Sequence, residues 1–254
     1  MTFSIVAHNP ENGQFGIAVA SRFFAVGSLI PHFGQNCAIA SQALVNPMWG
    51  REGTTLIEQG LSLQDTLEAL KDKDSGANQR QVHMVNSQGE AICYTGSACI
   101  DVAYHRAATH VSVAGNMLAS EEVIYAILEQ YLSAGRLAFA ERLLAAMQAG
   151  EAAGGDKRGR QSASLQIKDS RPYPLLDLRV DDHGHPLYEL ERLLSVSKER
   201  FAAFVRHMGD QEHFSGNPDR EHISNEIEKE AASQKKLKKT SLSMASNRST
   251  PEQR

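Results

Sequence analysis

Residues 2–21 constrain the fold more than any other stretch. Thr2-Phe3-Ser4-Ile5-Val6-Ala7-His8 and Phe15-Gly16-Ile17-Ala18-Val19-Ala20-Ser21 are two strand-length runs separated by Asn9-Pro10-Glu11-Asn12-Gly13. The intervening residues are strong turn formers, so the runs predict an antiparallel hairpin. The second run is small and apolar on both faces. A strand without a polar face belongs between two layers, not at a wet surface. The rest of the chain therefore has to cover this hairpin on both sides.

The same stretch also suggests chemistry. Removal of Met1 would leave a threonine at the N-terminus, and the small side chain of Thr2 permits that removal. An N-terminal threonine carries its own base, because the α-amine can take the proton of its own hydroxyl. With a reference pKa of about 7.7–8.0, a useful fraction of such an amine is neutral at physiological pH. The plainer alternative is a β-branched residue that only starts a strand.

Further strands are expected at residues 37–43, 81–85, 91–95, 110–114, 162–168 and 176–180. Asn86-Ser87-Gln88-Gly89 reads as a hairpin turn between two of them. Helices are expected over 54–59, 63–71 with Ser62 as N-cap, 121–132 with Ser120 as N-cap, and 139–149, followed by a last helix or pair over 186–208. Asn46-Pro47-Met48-Trp49-Gly50 reads as a turn carrying the only tryptophan. Strands and helices come in blocks and do not alternate, which predicts an α+β fold with antiparallel sheets covered by helices.

The folded domain is expected over residues 1–208. Beyond it, 209–254 is rich in Ser, Asn, Glu, Gln and Lys and reads as a mostly disordered tail, with a short helix seeded around Glu226–Glu230. From residue 231 onward there are six basic residues against one acidic. The run Lys235-Lys236-Leu237-Lys238-Lys239 reads first as solvated charge.

Composition excludes several classes. The net charge of the 254-residue chain is −4, which argues against a dedicated nucleic-acid binder. No apolar run reaches the ~18 residues of a membrane span. No secretory signal is apparent, and three cysteines without ligand spacing fit reduced thiols, so a cytoplasmic location is expected. No cofactor motif is read. His183-Gly184-His185 with Asp181-Asp182 resembles a surface turn more than a metal site, so no metal is expected either. The apolar helices and small buried strands suit a homodimer.

Five constellations can carry chemistry. Thr2 heads the first strand, with Ser4 on the same strand face as a helper or a core hydroxyl. Ser21 and Arg22 end the second strand, close to Thr2 if the hairpin forms. Gln42, with Ser41 and Asn46, ends the third strand and is a candidate oxyanion donor, as is Asn116 after Gly115. Gly155-Asp156-Lys157-Arg158-Gly159-Arg160-Gln161-Ser162-Ala163 packs three cations, an acid and an amide into nine residues. Its order is not that of a phosphate-binding loop. It suits binding of a carboxylate or amide, with Arg158 or Arg160 bidentate and Asp156 orienting the arginine.

Taken together, Thr2–Ala7, Gly16–Phe23, Ala25-Val26-Gly27-Ser28, Gly115-Asn116, Gly154–Ala163 and Leu178–His183 resemble the bacterial and archaeal family known as domain of unknown function 1028. The resemblance covers about residues 1–208. It implies the N-terminal-nucleophile (Ntn) hydrolase superfamily, a four-layer αββα sandwich of two antiparallel sheets flanked by helices. Relatives such as proteasome subunits and asparaginase-like amidases cut amide bonds with an N-terminal Thr, Ser or Cys. Proteasome-type sites keep an Asp near the end of the second strand and a Lys soon after. Here that strand ends Ser21-Arg22, and no lysine lies between Arg22 and Lys71. The expected activity is hydrolysis of an amide or peptide bond in a small molecule or short peptide bearing a carboxylate. Thr2, Ser21, Gln42 and Asn116 would be catalytic, and Arg22, Asp156, Arg158, Arg160 and Gln161 would bind substrate. The alternative is a non-catalytic ligand-binding or regulatory module on the same fold.

Overall fold

The computed structural model describes residues 2–236 and 240–245. Met1 and the Leu237–Lys239 part of the basic run lie outside the described residues. The chain divides into two compact units, residues 1–190 and 191–254.

The first unit is α+β, with two antiparallel sheets. Strands β1 (Thr2–Asn9) and β2 (Gln14–Ser21) form the expected hairpin, paired from Thr2 with Ser21 to Asn9 with Gln14. Gly13, in the left-handed region at φ 69°, closes the turn. β3 (Pro31–Phe33), β4 (Cys37–Ala43), β5 (Arg80–Asn86) and β6 (Ala91–Thr95) make a four-stranded sheet in that order. β7 (Tyr104–Ala108), β8 (Val111–Asn116), β9 (Ser162–Lys168) and β10 (Leu176–Val180) complete a six-stranded sheet ordered β10-β9-β2-β1-β8-β7. The first strand of the chain thus lies in the middle of the larger sheet, and all of it but Asn9 is buried.

Strand alternation sorts the two faces of β1. Val6 packs with Ile17, Val19, Ala38, Ala40 and Val85, which places this face against β4 and β5. The opposite face meets α3 (Glu122–Ser133) and α4 (Phe139–Ala152), which pack together against β1, β2 and β8. On the outer side of the smaller sheet, α1 (Pro47–Glu58) and α2 (Leu63–Lys73) bury Trp49, Leu63, Leu67 and Leu70 against Ile39, Val82 and Met84.

Two local expectations need correction, and one strand goes unread. The turn expected at Asn46–Gly50 is the start of α1: the Asn46 side chain caps the helix by accepting from the Met48 amide, and Pro47 takes its first position. Trp49 is therefore a helical core residue, and its indole donates to Asp74 Oδ2 at 2.6 Å. Ser120 does not cap α3, whose N-cap is Glu121 and carries no side-chain cap bond. β7 goes unread in the sequence because it is a largely exposed edge strand without a clean apolar alternation.

The second unit continues from α5 (Pro186–Ser197), which spans the division, into α6 (Phe201–Arg206) and α7 (Arg220–Lys236). The sequence suggests only a short helix near Glu226, whereas α7 runs for 17 residues. The difference is tertiary. Arg206 pairs with Glu226 and Glu230, and His207 Nε2 meets Glu226 Oε2 at 2.7 Å, so α6 supports a helix whose own periodicity is weak. No helix among the described residues is long and apolar enough to cross a membrane.

Candidate functional site

The centre of the larger sheet ends at Thr2. Its register partners are Ser21 on β2 and Asn116 on β8, so three of the expected site residues stand side by side on adjacent strands. Thr2 is buried, and its Oγ1 donates to Ser21 Oγ at 3.3 Å, a long contact for two hydroxyls. Pairing on both sides holds the residue at a fixed position.

Behind Thr2 lies a buried polar network. Ser4 Oγ donates to Gln42 Oε1 at 2.7 Å and meets His83 Nε2 at 2.8 Å. Gln42 Nε2 donates to Gln81 Oε1 at 2.9 Å, and Asn116 Nδ2 donates to the same oxygen at 3.0 Å. His83 Nδ1 meets Ser112 Oγ at 2.9 Å. Since the Ser4 hydroxyl proton goes to Gln42, His83 must donate from Nε2 and accept from Ser112 at Nδ1. That is one tautomer of a neutral imidazole. Burial, aided by repulsion from His105, lowers the His83 pKa to about 3, which keeps the ring uncharged. Both ends of the Gln42 amide are therefore engaged one residue back from Thr2. Ser4 belongs to this network, not to the wall of the Thr2 cavity.

The Gly154–Gln161 loop docks onto the ends of β2 and β8. Asp156 is buried, and its two oxygens take the Arg22 and Arg158 backbone amides, each at 2.8 Å, and Arg158 Nη2 at 3.2 Å. Gln161 N donates to Ser21 O at 3.1 Å, and Asp156 bridges Leu118 beyond β8. Glycine is required at two points of this loop. Gly154 sits at φ 118°, where a Cβ would lie 2.7 Å from that of Ala119, and Gly159 sits at φ 108°. Arg22 stays exposed, and its guanidinium donates to the Arg158 carbonyl, which ties it to the loop. Arg160 pairs with Glu151 at 3.1 Å and Gln161 donates to Asp182 at 3.2 Å. Burial raises the Glu151 pKa against the pull of Arg160.

Two cavities meet at this place. One, of about 190 Å³, has Thr2, Ser21 and Arg158 on its wall together with Phe23, Val26, Leu29, Ile30, Ala43 and Val45. The other, of about 840 Å³, is bounded by Phe3, Ser21, Glu151 and the Gly154–Arg160 loop. Ser21 and Arg158 border both. The larger cavity does not contain Thr2; the smaller one does. Three residues here hold left-handed backbone without being glycine: Ala25 at φ 52°, Ala43 at φ 72° and Met117 at φ 51°. Such conformations cost about 1–2 kcal/mol each and collect where the surroundings over-determine the chain.

The sequence reading missed Gln81, His83, Ser112 and Glu151. A signal existed for two of them. Gln81 and His83 alternate with Val82 and Met84 on one strand, so polar side chains share a face in an otherwise apolar stretch. For metal, His183 and His185 engage each other and Arg160. Among the described residues, the group close enough to hold an ion is His207, His222 and Glu226, in the second unit, where His207 already bonds Glu226 directly.

An α+β unit with a buried threonine heading the central strand of one of two antiparallel sheets is the class that fold and site define. The chain belongs to a family of unknown function, DUF1028, whose model matches residues 2–190. No curated protein matches it. It is similar to the crystal structure of protein SPO2555 from Silicibacter pomeroyi, also of this family, at 30% identity over 86% of this chain and 96% of that one, with a TM-score of 0.80. Two Anbu structures are much more distant. The Gly-1 mutant from Hyphomicrobium sp. strain MC1 has a TM-score of 0.40 at 13% identity, covering 77% of this chain and 95% of that one. The ancestral β-subunit from Yersinia bercovieri has 0.34 at 11%, covering 76% and 92%. Likenesses that remote carry no argument.

Proposed function

We propose that the chain is an Ntn amidohydrolase, with Thr2 exposed by removal of Met1 and residues 1–208 as its catalytic domain. The reading includes the architecture: the two sheets and the helix pairs on their outer faces form a four-layer αββα sandwich. Thr2 Oγ1 attacks the carbonyl carbon of an amide while the α-amine takes the hydroxyl proton. The C–N bond breaks, the amine leaves with that proton, and the acyl group remains as an ester on Thr2. Water, deprotonated by the same α-amine, then releases the acid. Ser21 orients the Thr2 hydroxyl. Asn116, opposite Thr2 in register, offers the oxyanion the second hydrogen of its amide, the first being held by Gln81. Gln42 acts one step back, holding Ser4 and Gln81 in place. Arg158, set by Asp156, attracts a substrate carboxylate, with Arg160, Arg22 and Gln161 fixing the loop around it.

The observation that carries this reading is the position of Thr2: buried, paired on both sides and opening into a cavity with a guanidinium on its wall. The test has two parts. The intact mass of the purified chain should lack one methionine. Thr2→Ala should abolish hydrolysis of amides that the unaltered chain cleaves, by a factor of at least about 10³. Undiminished hydrolysis in that variant removes Thr2 as nucleophile. A retained Met1 leaves the amine blocked and favours the non-catalytic binding module.

A further inference from the structure

The two cavities beside Thr2 differ in chemistry, and the difference specifies a substrate. In the smaller one, every wall residue other than Thr2, Ser21 and Arg158 is apolar. Val26 and Ile30 are buried within the core between the sheets, so this part of the wall is fixed, while Phe23 at the mouth is 51% exposed. Its backbone is clamped: Ala25 N donates to Asp181 O at 3.0 Å and Val26 N to Ser162 Oγ at 3.1 Å. Gly27 presses so closely on β9 that a Cβ would lie 2.4 Å from that of Ser164. The 25–30 side of the pocket is therefore held in place by the fold itself.

The larger cleft is polar. Lys157, Arg158 and Arg160 line it against Glu151 and Asp156, which leaves one positive charge in excess. The loop backbone at Gly154, Gly155 and Gly159 is also on its wall. Ser21 and Arg158 form the boundary between the two spaces. A molecule reacting at Thr2 therefore meets an apolar pocket on one side and an excess cation on the other.

We infer that the substrate is an N-acyl amino acid, or a short peptide equivalent to one, with a compact branched apolar group on the acyl side and a free carboxylate on the amine side. This rests on the amidohydrolase reading above. The apolar pocket begins at the nucleophile itself, so its occupant is attached directly to the carbonyl that Thr2 attacks. The carboxylate lies across the Ser21–Arg158 boundary and leaves with the amine. A cavity of about 190 Å³ admits a branched aliphatic side chain and excludes long acyl chains.

Binding to the full-length Thr2→Ala variant separates recognition from catalysis. Isothermal titration would compare three probes: N-isovaleryl-alanine, N-acetyl-alanine and N-isovaleryl-alanine methylamide. The first should bind at least about tenfold more tightly than either other, since loss of the branched methyls or of the carboxylate each removes a built contact. Val45→Phe, which fills the pocket at a half-buried position, should erase the isovaleryl preference and leave the carboxylate preference. Arg158→Gln should do the reverse. Thermal melts check that each variant is folded. Equal binding of the three probes, or binding of none, overturns the inference. Hydrolysis of amides without any apolar preference would overturn it while leaving Thr2 as nucleophile. Selective binding without turnover by the unaltered chain would instead sink the amidohydrolase and keep the ligand.

Discussion

At the scale of single residues, the site depends on groups held in one state by burial. His83 is the clearest case. Its pKa falls to about 3 in the fold from a reference of 6.5, so the unfolded chain binds the proton and the folded one does not. The stability contributed by the neutral ring is complete above pH 6.5 and is lost as pH falls toward 3, by about 1.4 kcal/mol per unit. Urea melts of the unaltered chain between pH 7 and 4.5 should show this slope. In His83→Gln, which keeps a donor toward Ser4, the slope should flatten at the cost of some stability at pH 7. An unchanged slope would mean that His83 is not the titrating group. Thr2 is held differently, by strand pairing on both sides, with a long 3.3 Å contact to Ser21.

At the scale of elements, the central hairpin works because small residues let layers approach. Gly16 shows how tight the fit is: a Cβ there would lie 2.4 Å from Leu143 Cδ1 and 3.0 Å from the Phe139 ring on α4. Gly16→Ala should cost about 1–3 kcal/mol by overpacking. Leu143→Ala alone should cost about 2–5 kcal/mol through its cavity. The double variant should be more stable than the sum of the two losses, because each change relieves the other, and additive losses in chemical melts would argue against the contact. The Gly154–Gln161 loop is an element of the same kind. Three positive-φ glycines let it fold back, and buried Asp156 ties it to Arg22 at the end of β2. The loop and β1 are thereby placed together although about 150 residues separate them.

At the scale of the whole molecule, the order β10-β9-β2-β1-β8-β7 puts the first strand of the chain in the middle of its sheet and completes one flank only with the last strands of the first unit. In the full chain, the first unit should therefore unfold in a single sigmoidal transition. A chain ending at residue 161 should not, because β2 loses its β9 partner and the 22–30 segment loses the Ser162 and Ser164 contacts that hold it. A cooperative melt of the shorter chain would contradict this account. Much of this is legible in the sequence. The turn at Asn9–Gly13 and the small two-faced strand at 15–21 determine a buried hairpin, because turn residues and side-chain size act locally. The blocks of strands and helices determine the α+β class, and the threonine at position 2 marks the candidate nucleophile. What only the tertiary structure decided is which distant groups meet it. Strand order brought Asn116 beside Thr2 and stacked Gln42, Gln81 and His83 behind it. Loop docking gave the exposed Arg22 a partner in the Arg158 carbonyl. These are contacts between residues tens to more than a hundred positions apart, and they are set by how layers pack, which no local pattern encodes.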